Sequence, residues 1–304
     1  MFRITFLGTG GTLPTINRNP SAIFINREGE TMLFDCGEGT QQQMMRAKTG
    51  MKISSIFITH FHADHFLGIP GLIQTMSFNG RTEPLDIYGP TWTKQMVKLM
   101  IELGYYNMGF EIHAHELGDG DVVDRGEYSI KAVVTDHGIP SLGYVLEEKS
   151  RTGRFNKQKA IELGVPVGHM FGKLQKGEDV MVNGHVIKPS QIMGQSRPGR
   201  KVVYSGDTRP CDSIARESAG ADLLIHDGTL ADELRDWAIE TKHSTTAEAA
   251  QLAKRAKVLQ LILTHFSSRY SESVEPLLLD AKGIFENTIL AEELMEIEIQ
   301  LRDK

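Results

Sequence analysis

The stretch Ser55-Ile56-Phe57-Ile58-Thr59-His60-Phe61-His62-Ala63-Asp64-His65 decides how this chain is read. Its first residues, mostly apolar and β-branched, predict a strand, and three imidazoles and a carboxylate follow at once. In extended backbone, residues two apart point the same way, so His60 and His62 can converge on one ion from the strand's end. Asp64 and His65 fall where the chain turns into Phe66-Leu67-Gly68-Ile69-Pro70-Gly71, and aim at a neighbouring position. A lone histidine is more often packed or at the surface than a ligand. Four such groups bunched behind an apolar strand would need several unrelated partners if they bound no metal. Nitrogen and oxygen donors without thiolate suit zinc, with manganese or iron as alternatives.

Four groups do not fully serve two metals, so other strand ends must supply more. Three candidates stand out: His137 after Ala132-Val133-Val134-Thr135-Asp136, Asp207 after Val202-Val203-Tyr204-Ser205-Gly206, and His265 after Leu261-Ile262-Leu263-Thr264. Each closes an apolar run, which is where open α/β sheets present functional groups. Strand-like runs over 3–7, 21–26, 32–34 and 54–59 alternate with helical stretches over 41–48, 70–78, 91–103 and 246–256. That alternation predicts a layered α/β architecture.

At 304 residues, 40% hydrophobic and 24% charged, the chain has ordinary globular content, which excludes a disordered, collagen-like or disulfide-scaffold protein. Two cysteines, Cys36 and Cys211, are too few for a disulfide framework or a four-thiolate zinc site. The N-terminal apolar run is too short for a secretory signal, and no stretch approaches ~18 apolar residues. The expectation is a cytoplasmic protein with no membrane partner.

Charge is unevenly spread. Between Lys149 and Lys201 eleven basic residues face three acidic ones, +8 in total, which leaves −14 on the rest of a chain of net charge −6. This segment, punctuated by Gly153, Gly164, Pro166, Gly168, Gly172 and Gly177, breaks the strand–helix rhythm and reads as an insertion or arm. A solvated loop is the plain alternative on composition alone.

The motif His60 to His65, with His137, Gly206-Asp207-Thr208 and Thr264-His265, resembles the metallo-β-lactamase superfamily of dinuclear metal hydrolases. Within it the chain is most similar to the ribonuclease Z family, endonucleases that remove 3′ trailers from precursor tRNA. Further matching segments run nearly end to end: Phe6 to Gly10, Asp35 to Gln41, Gly68 to Gly71, Gly206 to Arg209, His243-Ser244-Thr245 and Leu263 to Ser267. The resemblance implies a four-layer αβ/βα sandwich, a single domain over 1–304 with an inserted, flexible and protruding tRNA-binding arm at about 149–201. It implies two Zn²⁺, one held by His60, His62 and His137, the other by Asp64, His65 and His265, with Asp207 bridging. Asp64 would also orient or deprotonate the attacking water, and His243 would donate to the departing 3′ oxygen. Family members work as homodimers.

Less central residues follow from the same comparison. Arg18, in Pro14-Thr15-Ile16-Asn17-Arg18-Asn19, would grip substrate, as would Lys173 and Lys176 in the arm and Ser244 and Thr245 beside His243. Ser244 to Glu248 also reads as a helix start. Glu240, where the family usually has Asp, would orient His243, and His226-Asp227, which ends another apolar run, would stand behind the metal ligands. The arm keeps Gly164-x-Pro166-x-Gly168, but His169 replaces a common proline. Two other functions fit the metal motif: a hydrolase of a small phosphodiester, lactone or thioester, and an RNA-binding protein whose metals are structural.

Overall fold

The computed structural model describes residues 1–302. Its strands, in chain order, are β1 (Phe2–Gly8), β2 (Ala22–Arg27), β3 (Glu30–Phe34), β4 (Ser55–Phe57), β5 (Leu85–Gly89), β6 (Ile112–Glu116), β7 (Val122–Asp124), β8 (Tyr128–Val134), β9 (Leu142–Glu148), β10 (Val180–Val182), β11 (His185–Ile187), β12 (Lys201–Tyr204), β13 (Leu223–Asp227), β14 (Leu261–Thr264), β15 (Thr288–Leu290) and β16 (Glu296–Glu298). One sheet has the order β16-β1-β2-β3-β4-β5-β6, another β15-β14-β13-β12-β9-β8-β7, and β10 pairs with β11 alone. In the second large sheet β12, β13, β14 and β15 run parallel, with Val203 beside Leu224 and Ile225 beside Ile262.

The strands are apolar on both faces because both faces are covered. Along β1 and β2, Phe2, Ile4, Phe6, Ile23 and Ile25 turn inward to a core that also takes Phe34, Phe57, Tyr144 and Tyr204 from both sheets. Leu7, Ala22 and Phe24 turn the other way, with Leu33 and Ile56, onto the helices Ile69–Phe78 and Thr93–Ile101. On the second sheet Val203, Leu224 and Leu263 pack outward against the helices Asp212–Glu217, Thr246–Ala256 and Glu275–Lys282. Three apolar slabs therefore separate helix, sheet, sheet and helix, the predicted αβ/βα sandwich. Each buried Leu, Ile or Phe contributes about 1.5–3 kcal/mol.

The helix Thr246–Ala256 shows why the local sequence folds this way. Thr245 caps it, its hydroxyl accepting from Glu248 N while the Glu248 carboxylate accepts from Thr245 N. Alanines at 247, 249, 250, 253 and 256 are buried, and Lys254 and Arg255 sit in the last turn, where the helix dipole favours cations.

The chain divides into two compact units, Met1–Glu147 with Lys201–Gln300, and Glu148–Arg200 with Leu301 and Arg302. The smaller unit is more than a solvated loop: Ala160, Val165, Leu174, Val180, Val182, Ile187 and Ile192 form a core of its own. Around it lie the helices Lys157–Glu162 and His169–Gln175 and the β10–β11 hairpin, whose turn Asn183-Gly184 has positive φ at both residues. His169 opens its helix, a position that proline also suits. The two ends of its main segment, 148–200, are joined by a buried bidentate ion pair, Arg200 Nε and Nη2 each 2.7 Å from Glu148 oxygens. Among the described residues no helix is long and apolar enough to cross a membrane.

Candidate metal centre and active site

All the chemistry lies in the larger unit, beyond the carboxyl ends of strands. After β4 the chain presents His60 and His62, then turns through a short helix Ala63–Phe66 that carries Asp64 and His65. His137 follows β8, Asp207 follows β12, and His265 follows β14. The tight passage at Gly206 has φ +58, and a side chain there would meet Thr59 at 2.7 Å, so only glycine fits before Asp207. Asp35 (φ 56) and His265 (φ 65) are non-glycine residues in the left-handed region, a conformation costing roughly 1–2 kcal/mol. Packing and hydrogen bonds on each hold them there.

The seven residues expected from the sequence come together. His62 Nδ1 lies 3.0 Å from His60 Nε2 and 3.1 Å from His137 Nε2. His265 Nε2 lies 3.4 Å from His65 Nε2 and 3.3 Å from Asp64 Oδ2. Asp207 Oδ2 stands between the two groups, 3.7 Å from His60 Nε2, 3.3 Å from His65 Nε2 and 3.2 Å from His265 Nε2. With metal–ligand bonds of about 2.0–2.2 Å, donors on one tetrahedral or octahedral ion stand roughly 2.8–3.6 Å apart. The nitrogens and oxygens here are spaced like edges of coordination polyhedra, and the donor set suits a divalent metal.

The atoms turned away from this centre are held as metal-binding imidazoles usually are. His65 Nδ1 meets Asp35 Oδ2 at 2.8 Å, His137 Nδ1 donates to the Lys242 carbonyl at 3.0 Å, and His265 Nδ1 meets the Thr229 hydroxyl at 3.0 Å. Asp35 also accepts from Thr59 N, the Thr59 hydroxyl and the Tyr204 hydroxyl, at 2.7, 2.9 and 2.8 Å. Burial and the neighbouring His65 keep the His60 imidazole well below its usual range, so it is a neutral donor. Burial would raise the Asp64 carboxyl, but hydrogen bonds from His265 and His65 outweigh it and hold the group ionised. Asp207 is held low in the same way, by His265 and His65 against its burial.

His243 lies beside this cluster, its Nδ1 3.9 Å from Asp207 Oδ2 and 2.9 Å from Asp227 Oδ2. Burial disfavours its charge, but the Asp227 carboxylate outweighs that and pushes the imidazole up to about 9. Asp227 in turn accepts from Thr229 N at 2.9 Å, the Thr229 hydroxyl at 2.6 Å and Thr208 N at 3.1 Å.

Several expectations need correction. Glu240 does not orient His243: it is exposed on the helix Arg235–Thr241, and the carboxylate on His243 is that of Asp227. His226 is buried but belongs to none of the clusters. Its strand alternates, so Asp227 faces the site while His226 follows Leu224 toward the outer core, its Nδ1 on the Asp227 carbonyl at 2.9 Å. Ser244 and Thr245 are fully buried, with Ser244 donating to the Thr208 carbonyl and Thr245 capping its helix, so neither hydroxyl can reach a substrate. Arg18 is turned inward. Its guanidinium donates to the Thr9 hydroxyl and the Ala291 carbonyl, at 2.6 and 3.0 Å, and lies 4.8 Å from the centre of the Phe266 ring. Lys173 and Lys176 are exposed, on and just after the helix His169–Gln175 of the smaller unit.

Sequence reasoning missed the roles of Asp35, Thr59 and Thr229, and it placed Asp227 only together with His226, behind the metal ligands and not on His243. The signal for Asp227 was available: on β13 it shares the face of Leu223 and Ile225, which enter the inter-sheet core.

Known proteins agree with this geometry. The family model for the Anti-Pycsar protein Apyc1 matches residues 2–150, and that for the Beta-lactamase superfamily domain matches residues 174–266. A ribonuclease Z from Methanosarcina acetivorans is 63% identical over 303 residues, 99% of each chain. That of Archaeoglobus fulgidus is 48% identical over 98% of each chain. The crystal structure of human tRNase Z, short form, superposes with a TM-score of 0.72 at 31% identity, covering 98% of this chain and 100% of that one. The metallo-β-lactamase fold protein YhfI from Bacillus subtilis, at 20% identity and a TM-score of 0.71, shares the fold. A strand-end cage of histidines and aspartates on an αβ/βα sandwich, with full-length identity well above what unrelated chains share, places this chain in the ribonuclease Z family.

Proposed function

We propose that this chain removes the 3′ trailer from precursor tRNA by hydrolysing one phosphodiester, leaving a 3′-hydroxyl on the tRNA and a 5′-phosphate on the trailer. Family membership makes it a tRNA-processing endoribonuclease. Two divalent ions, zinc by the donor chemistry with Mn²⁺ or Fe²⁺ as alternatives, would be held by His60, His62 and His137 and by Asp64, His65 and His265, with Asp207 shared. When bound, they would supply Lewis acidity at the phosphate and acidify a water toward neutral pH. The observation that carries this reading is the convergence of seven donors at ligand spacing with an eighth group, His243, beside them.

Asp64 would lend one carboxylate oxygen to a metal and take the proton of the attacking water on the other. The water oxygen bonds to phosphorus, the bond from phosphorus to the 3′ oxygen breaks, and His243 gives that oxygen its proton. Asp227 holds His243 Nδ1, which leaves Nε2 to make the donation. No nucleophilic side chain is required.

The basic unit over 148–200 would bind the tRNA body, Lys173 and Lys176 among its contacts, because its +6 concentrates attraction for RNA on an otherwise acidic chain. A homodimer is the assembly we infer, supported by the exposed apolar side chains Phe78, Leu103 and Tyr105 about the ends of two neighbouring helices. The cytoplasm, where thiols such as Cys36 and Cys211 stay reduced, is the compartment this reading assigns. Incubating the protein with a precursor tRNA that carries a 3′ trailer, and mapping both product ends with and without chelator, tests it. A single metal-dependent cut with the stated ends is expected, and an uncut precursor in the presence of zinc, manganese or iron would refute the assignment.

A further inference from the structure

Next to His243 lies a cavity of about 270 Å³, lined in part by Trp237, Thr241, Ser267 and Ser268 as well as by His243 and His265. Trp237 and Thr241 are one turn apart on the helix Arg235–Thr241, so they present to the same side. The cavity is small beside ligand pockets of roughly 300–1,000 Å³, with room for about one planar ring system.

Trp237 is 47% exposed, and neither the cleavage chemistry nor the core packing uses it. Its indole is steadied by Arg269, whose guanidinium carbon lies 5.8 Å from the ring centre, a cation–π contact. An exposed indole next to a site for an anionic polymer is a stacking surface for a base. Because His243 serves the departing 3′ oxygen, the nucleotide on its side of the cut is the one that keeps that oxygen.

We propose that Trp237 stacks the base of the last nucleotide of the tRNA product, so that the cavity beside His243 positions the residue 5′ of the scissile phosphate. The inference rests on the tRNA-cleavage reading of the site. Stacking of a base on an aromatic side chain is lost on truncation to alanine, and Trp237→Ala should lower kcat/KM on precursor tRNA about 5- to 150-fold. Trp237→Phe should recover part of the loss. A precursor with an abasic nucleotide 5′ of the cut should be cleaved equally by the parent and by Trp237→Ala.

A binding readout separates stacking from general damage. The chain has two tryptophans, and Trp92, at the start of another helix, can be changed to Phe, which leaves Trp237 as the sole indole. Product tRNA with its terminal base should then quench the Trp237 fluorescence, and product tRNA with a terminal abasic nucleotide should not. If precursor is cut but quenching is absent or indifferent to the terminal base, the stacking role is overturned while the cleavage reading stands. If precursor is not cut at all, the cleavage reading falls and takes this inference with it.

Discussion

Replacing Asp227 by asparagine removes one charge and reverses the hydrogen-bonding sense of one of its two oxygens. In the native site Oδ2 accepts from His243 Nδ1 at 2.9 Å and Thr208 N at 3.1 Å, while Oδ1 accepts from Thr229 N at 2.9 Å and the Thr229 hydroxyl at 2.6 Å. Each oxygen faces a backbone N–H, so an amide group fits neither side without setting a donor against a donor. If it turns toward His243, the imidazole loses its acceptor. If it turns toward Thr229, the charge that favours the protonated imidazole is still gone. A hydrogen bond to a charged partner contributes roughly 1.5–3 kcal/mol, which corresponds to a fall of about 10- to 150-fold in turnover on precursor tRNA. The stranded buried donor costs a further ~1–3 kcal/mol of stability, or a few degrees of Tm for a chain this long.

The leaving group decides what such a loss means. A p-nitrophenyl phosphodiester expels an anion that needs no proton, so both Asp227→Asn and His243→Ala should lose much less activity on it than on tRNA. Combining the two changes should cost little more than His243→Ala alone, because Asp227 acts through His243. An undiminished effect of Asp227→Asn in the His243→Ala background, with melting that shows both proteins folded, would refute the positioning role. Equal losses on both substrates would refute the proton-donor role of His243.

Asp64→Ala should reduce turnover by orders of magnitude while circular dichroism shows the fold retained, since on the proposed mechanism the residue would both hold a metal and accept the proton of water. Asp35→Asn disturbs the acceptor behind His65, and competition with a chelator should reveal metal affinity weakened about 10- to 100-fold. Cys36 is buried and its thiol is pushed up to about 12, so peptide mapping after alkylation at pH 8 should find Cys211 modified well before it. Substituting Arg200 by Ala leaves the buried Glu148 charge without its bidentate partner, and denaturant unfolding should register about 3–5 kcal/mol of lost stability. Replacing 149–200 by a short turn should abolish precursor cleavage and spare hydrolysis of the small diester.

The candidate metal donors were legible because His60, His137, Asp207 and His265 each stand at the end of a strand-like run, with His62, Asp64 and His65 close behind the first, and a strand end is a fixed place in this kind of sheet. Groups that orient those ligands were harder to find. Asp35 is itself a left-handed residue after β3, and its four donors come from Thr59, His65 and Tyr204, far from it in sequence. Glu240 looked suitable because it is close to His243 in sequence, but a helix turn carries it into solvent while β13 brings Asp227 in from sixteen residues away. Ser244 and Thr245 illustrate the same limit. A hydroxyl in a functional motif can be committed to a helix cap, and only burial distinguishes the two uses. In the segment 148–200 the apolar residues are spaced too irregularly to show a helix or strand period, so its private core appears only once short elements are folded against one another.

The Glu148–Arg200 pair brings the two ends of the segment 148–200 together. Glu148 N also donates to the Arg200 carbonyl, at 2.9 Å, and the flanking residues Glu147 and Lys201 are already neighbours across the β9–β12 ladder. A segment whose two ends touch in this way can be gained, lost or exchanged without rerouting a single strand.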